Sequence, residues 1–181
     1  MMIKNHIDGQ SQKKAYQLYE SGLLKTLEPG SVKRLRQIHA FFFGGLYDFA
    51  RQIRTKNIAK GGFAFANSLY LPTTLQTIER MPATSFDEIM DKYVEMNVAH
   101  PFMEGNGRNT HIWLDMMLKR SLRQCVDWSQ VDKNECLEAM RESVADSRRI
   151  KELVRPAPTT KIDDRDMFMK GIDYSYYYEQ D

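Results

Sequence analysis

Apolar residues along the chain recur mainly at intervals of three and four, the spacing of one face of an α-helix. Gln10–Ser21 reads as a short amphipathic helix stopped by Gly22. In Val32–Phe43, the residues Val32, Leu35, His39 and Phe42 share a stripe, Ser31 stands at the N-cap position, and Gly44-Gly45 ends the run. Pro72–Arg80 predicts a short helix. Ser85-Phe86-Asp87-Glu88 is a capping-box pattern, and it opens a helix with the stripe Phe86, Ile89, Met90, Tyr93 and Val94, running to about His100. Another starts near Gly107 or Arg108 and carries Ile112, Trp113, Met116 and Met117 to about Arg120. Ser129-x-x-Asp132 opens a further helix, with Leu137, Met140 and Val144 on its face. Arg148–Val154 follows, ended by Pro156-Ala157-Pro158, and Asp163/Asp164 cap a last helix through about Glu179.

One stretch breaks this period. Residues 44–71 are dense in glycine and aromatics, and Phe63-Ala64-Phe65-Ala66 alternates large and small side chains after Gly61-Gly62. This predicts a short β-hairpin or flap as the only β element. The expected architecture is an all-α helical bundle with one hairpin. The chain of 181 residues fits a single domain, and the segment after the 155–162 linker is too small for a core of its own.

Composition narrows the function classes. Apolar residues at 42 % and charged residues at 28 % fit a globular chain with a sizeable core. A balance of 26 Lys+Arg against 24 Asp+Glu gives no electrostatic case for nucleic-acid binding. The longest apolar runs, near Phe41–Phe43 and Ile112–Leu118, fall far short of the ~20 residues of a membrane span. The N-terminal residues have no apolar signal core. A cytoplasmic location is expected, with Cys125 and Cys136 as reduced thiols.

The chemistry concentrates in His100-Pro101-Phe102-Met103-Glu104-Gly105-Asn106-Gly107-Arg108. This is a helix end, a tight loop and a helix start. Gly105 and Gly107 permit positive φ and close approach of a ligand. The N-terminus of the next helix offers N–H groups and the positive end of its dipole to an anion. Arg108, in the first turn, is disfavoured by that dipole unless an anion lies beside it. Glu104 is a hard oxygen ligand suited to Mg²⁺ on a polyphosphate. Asn106 can donate to a phosphate oxygen, and His100 has the titration range of a general base. Asn97 lies on the same helix face as His100 and is a candidate nucleotide contact.

This string resembles the signature of the Fic (filamentation induced by cAMP) family, H-x-F-x-[D/E]-G-N-G-R-x-x-R. Gly44-Gly45-Leu46-Tyr47-Asp48-Phe49-Ala50 and Lys60-Gly61-Gly62-Phe63 are similar to family segments before the active site and at its target-positioning flap. The resemblance, over roughly residues 30–180, implies a Fic-fold bundle. It also implies transfer of AMP from ATP, with Mg²⁺, to a Ser, Thr or Tyr hydroxyl of a target protein. His100 would be the base, Glu104 the metal ligand, and Gly105, Asn106, Gly107 and Arg108 the phosphate cradle. Phe102 would lock the loop into the core. Gly61, Gly62 and Phe63 would form the flap, with Lys60 at its entrance approaching nucleotide or target.

The last signature Arg is His111 here, a poorer phosphate ligand. Other phosphate or nucleotide transfer chemistry and a non-catalytic binding module therefore remain as alternatives. In the last helix, Phe168, Ile172, Ser175, Tyr176 and Glu179 share a stripe. Ser175 through Glu179 resembles the family's inhibitory motif [S/T]-x-x-x-E-[G/N], with Gln180 at the last place. This implies a Fic core over about 30–155 and a C-terminal inhibitory helix over about 163–180. Tyr176, Tyr177 and Tyr178 are candidates for self-modification. By analogy with small family members, a bacterial toxin-like role and self-association are further expectations.

Overall fold

The computed structural model describes residues 2–178, and side chains from His6 to Tyr176. Nine α-helices and two small antiparallel β-ribbons make up the regular structure of the described residues. The helices are α1 (Met2–Glu20), α2 (Leu23–Thr26), α3 (Val32–Phe43), α4 (Leu71–Arg80), α5 (Phe86–Ala99), α6 (Asn106–Leu122), α7 (Lys133–Glu142), α8 (Arg148–Val154) and α9 (Arg165–Tyr178). The all-α bundle with a hairpin is therefore the observed fold. The hairpin is β1 (Ala59–Lys60) with β2 (Phe63–Ala64), in register Ala59↔Ala64 and Lys60↔Phe63.

Local chemistry accounts for most boundaries. Ser31 accepts from the Arg34 N–H, and the Ser85/Glu88 capping box is complete. Three expectations need correction. First, α1 is far longer than Gln10–Ser21, because its apolar residues pack onto α3 and α9 rather than displaying a strong period of their own. Second, α7 is capped by Asp132, which accepts from the Asn134 and Glu135 N–H groups. Ser129 belongs to a 3₁₀ turn, Trp128–Gln130, and Val144 lies beyond the helix, exposed. Third, the hairpin is not the only β element. The linker holds β4 (Pro158–Thr159), which pairs with β3 (Cys125–Val126) just after α6.

The core has two parts that meet along α6. One gathers α4, α5, α7 and α8 around Trp113, Leu114, Met117 and Trp128. The other joins α1, α3 and α9 to Ile112 and Met116. Burying such side chains contributes ~1.5–3 kcal/mol each. With apolar partners on both sides, α6 is buried along most of its length, so its N-terminus is held firmly at the loop that precedes it. Both cysteines are buried free thiols. No helix among the described residues is long and apolar enough to cross a membrane.

Candidate active site

The loop between α5 and α6 forms the floor of a cavity of about 390 Å³. Asn97, His100, Glu104, Gly105, Asn106 and Gly107 border it, and Lys60, Gly61 and Phe63 bring in the hairpin. Nine of the candidates thus meet at one cavity, by way of two helix ends and a flap that is remote in sequence. A larger cavity of about 590 Å³ lies further along α6, among Tyr19, Leu24, Ile112, Met116 and Phe168, and none of the candidates borders it.

His100 is the C-cap of α5 and adopts φ 48°, in the left-handed region. That conformation turns the chain out of the helix. Its ring stacks on Phe65, just beyond β2, at 3.7 Å between centroids. Nδ1 is buried without a hydrogen-bond partner. Burial pushes its pKa down to about 3. The Asn97 backbone opposes that shift, and the charges of Arg54 and Lys60 add to it. The imidazole is therefore neutral across the physiological range.

The loop is held from within. Asn106 donates through Nδ2 to the Phe102 carbonyl at 2.8 Å and accepts at Oδ1 from the Phe102 N–H at 2.9 Å. Its amide is a clamp on the loop, and Nδ2 keeps a second N–H. Phe102 is fully buried and stacks on His39 at 3.9 Å. His39 accepts at Nδ1 from the Arg51 N–H and donates at Nε2 to the Glu104 carbonyl, each at 2.9 Å. Both ring nitrogens are thus used by the neutral form, and burial lowers the pKa to about 4. Gly105 has φ 77°, and a Cβ there would stand 2.2 Å from the Phe43 ring. Only glycine fits. Gly107 does not take positive φ. It lies in the first turn of α6, where its small size leaves the cavity wall as backbone.

The Arg108 side chain reaches toward α1 and α9. It does not border the cavity. Its guanidinium donates to Ser11 Oγ at 2.8 Å, pairs with Asp8 of α1 at 3.3 Å, and lies 4.2 Å over the Tyr176 ring. Asp8 of α1 supplies one anion beside it. His111 also lies away from the cavity, buried and stacked on Trp128 at 4.1 Å. Its Nδ1 is 3.0 Å from Ser175 Oγ, whose own hydrogen goes to the Gly171 carbonyl at 2.6 Å. The imidazole is therefore the donor, and burial lowers its pKa to about 3. The Tyr176 hydroxyl is bonded to Ser11. The side chains of Tyr177 and Tyr178, and all of Glu179, lie outside the described residues.

Two features were missed. Leu137, Met140 and Arg141 of α7 also line the cavity, and the Arg141 guanidinium packs close to Gly61. The apolar face of α7 was legible, but not that it stops short of full burial. The second is Arg54, which is buried. Nε donates to the His100 carbonyl at 2.7 Å, and the two Nη atoms reach the carbonyls of Lys56, Ala66 and Ala99 at 2.6–3.0 Å. It satisfies the open carbonyl end of α5 and ties both arms of the flap to the segment bearing His100. Nothing in a lone arginine 46 positions ahead of the histidine announces this.

The metal question turns on Glu104, which is exposed at the cavity edge. The described residues contain no cluster of three or more His, Cys, Asp or Glu that could hold a metal. Mg²⁺ keeps several waters and leans on phosphate oxygens, so one carboxylate fits an ion that arrives on a nucleotide.

The Fic/DOC family pattern matches residues 29–118, which contain the flap, the loop and most of α6. The chain belongs to the Fic/DOC family. It is 32% identical over 125 residues to protein adenylyltransferase VbhT of Bartonella schoenbuchensis, a match covering 62% of this chain and 26% of VbhT. The chain thus spans only about a quarter of that relative. A probable protein adenylyltransferase, Fic of Escherichia coli, is 25% identical over 150 residues, covering 73% of this chain and 74% of that protein. BepC of Bartonella tribocorum, solved with bound AMPPNP, superposes with a TM-score of 0.67 at 17% identity, covering 87% of each chain. A Fic domain from Bartonella quintana with bound ADP gives 0.68 at 15%, covering 93% of this chain and 88% of that one. The last two likenesses concern the fold.

Proposed function

We propose that this Fic protein is an adenylyltransferase that moves AMP from ATP to a hydroxyl side chain of a target protein. The observation that carries the reading is a buried histidine, His100, with an unpartnered ring nitrogen beside the N-terminus of α6, under a flap. The adenylyltransferase names of VbhT and the Escherichia coli protein, and the nucleotides bound to structural neighbours, support it.

The polar loop and the start of α6 would receive the phosphates, and Leu137 and Met140 would offer an apolar wall to the base. His100 would take the proton of the incoming hydroxyl. The target oxygen then bonds to the α-phosphorus, the bond from that phosphorus to the bridging oxygen breaks, and pyrophosphate leaves. Glu104 would hold the Mg²⁺ accompanying ATP, an ion that neutralises charge developing on the phosphates. The fixed backbone of the Gly105 turn supplies positioning with little reorganisation.

Autoinhibition by α9 belongs to the same reading. Ser175 is seated on His111, which brings the start of the inhibitory-type motif onto α6. Incubation of the full chain with ATP, Mg²⁺ and a bacterial lysate tests both parts. The α-phosphate label is expected on a protein band, the γ-label is not, and Glu179→Gly strengthens the band. A γ-label alone would replace adenylylation with phosphorylation.

One observation favours a second reading, nucleotide binding without turnover. Arg108 and His111 both face α1 and α9 rather than the cavity. Nucleotide bound by Glu179→Gly with no labelled protein would establish it.

A further inference from the structure

The flap and its approaches carry an uneven charge. Between Asp48 and Glu79 there is no acidic residue, whereas Arg51, Arg54, Lys56 and Lys60 all fall there. Arg54 is committed to backbone carbonyls, but Arg51, Lys56 and Lys60 are exposed. In a chain whose formal charge is only +2, this is a local positive field, and Arg141 borders the same flap. Such a field favours negatively charged partners.

The same surface carries exposed apolar area. Leu69 and Tyr70 are 75% and 63% exposed, the two most exposed large apolar residues described. They are fixed to the flap's base. The Ser68 N–H donates to Asn57 Oδ1 at 2.8 Å, and Ser68 Oγ donates to the Thr55 carbonyl at 3.1 Å. Lys56, between those two partners, is therefore a close neighbour of the apolar pair. Its own carbonyl is held by Arg54.

We infer that the outer face from Arg51 to Tyr70 docks an acidic target segment with an apolar anchor: carboxylates meet Arg51 and Lys56, and the anchor covers Leu69 and Tyr70. The surface chooses the protein whose hydroxyl is offered to His100. The inference rests on the adenylyltransferase reading for its purpose, but not for its binding chemistry. A nucleic acid would also answer to the charge. It has no use for an aliphatic Leu69, and so the protein partner is the better fit.

The test is selection of a displayed library of random peptides, each with a central Ser, Thr or Tyr, on the full-length protein without nucleotide. Selected peptides are expected to be rich in Asp and Glu and to carry a Leu, Phe or Met. Their binding should weaken about tenfold in Lys56→Glu and about tenfold in a Leu69→Ser/Tyr70→Ser variant, with unchanged melting temperatures. No binders, binders without a charge preference, or affinity unaltered in both variants would overturn the inference. Displacement of the peptide by a uridine RNA 20-mer whose own binding depends on Leu69 would do the same. Adding ATP and Mg²⁺ separates the two readings. Charge-dependent binding without AMP transfer removes the activity and leaves the docking surface. AMP transfer indifferent to peptide charge does the reverse.

Discussion

Along the first turns of α6, the side bordering the cavity is built from backbone, glycine and one clamped asparagine. The other side is packed with Arg108 and His111 against α1 and α9. A single stretch of sequence thus serves two purposes. The cavity side presents a fixed polar surface with a neutral imidazole at its lip. The far side uses charged and aromatic groups as structural partners for helices at the two ends of the chain. Residue type alone does not separate these uses. A guanidinium that suits a phosphate also suits Asp8 and a tyrosine face.

The contrast breaks most sharply at His100. His100→Asn, which tolerates positive φ, is expected to lower AMP transfer ~10²–10⁴-fold with little change in melting temperature. A wild-type rate in the labelled-ATP assay would remove the base from the cavity side. Gly105→Ala comes next. Left-handed backbone and collision with Phe43 together predict a loss of about 2–5 kcal/mol in a urea titration. A loss below ~1 kcal/mol would mean that the loop is softer than described.

Acid acts on both sides at once. His39, His100 and His111 are held near 4, 3 and 3, below the usual 6.5. An unfolded chain takes up protons that the fold refuses, so stability is full above about pH 6.5 and falls as pH drops toward those values. At pH 5 each histidine costs up to about 2 kcal/mol. Asp115, raised to about 6 by burial, offsets part of this, because its folded form binds a proton more readily. From pH 7 to pH 5 the melting temperature is expected to fall on the order of 10 °C. The smallest effect belongs to the far side. Asp8→Asn leaves Arg108 its Ser11 and Tyr176 partners, and a loss of about 1 kcal/mol is expected with a modest rise in transfer as the guanidinium is loosened.

Much of this was legible in order along the chain. The capping box, the Ser31 cap and the glycine-rich turn are local devices, and they lie where the sequence puts them. The string from His100 to Gly107 marks the cavity because helix end, turn and helix start are contiguous. Arg108 and His111 were legible as chemistry but not as contacts, since their partners lie on α1 and α9. Arg54 was not legible at all. Its value comes from carbonyls on segments that only the fold brings together, and carbonyls leave no trace in residue identity. The β3–β4 ribbon escaped for a similar reason: two residues per strand carry no period.

Arg54 also has a practical corollary. It grips the carbonyls of Lys56 and Ala66, and between those anchor points lies a short exchangeable cassette. Replacing residues 58–64 with a foreign tip would leave the histidine's seat, including the Phe65 ring stacked on it, in place, whereas a splice one step outside either anchor would cut the tether. Retargeting this scaffold is therefore a matter of where the joints are placed.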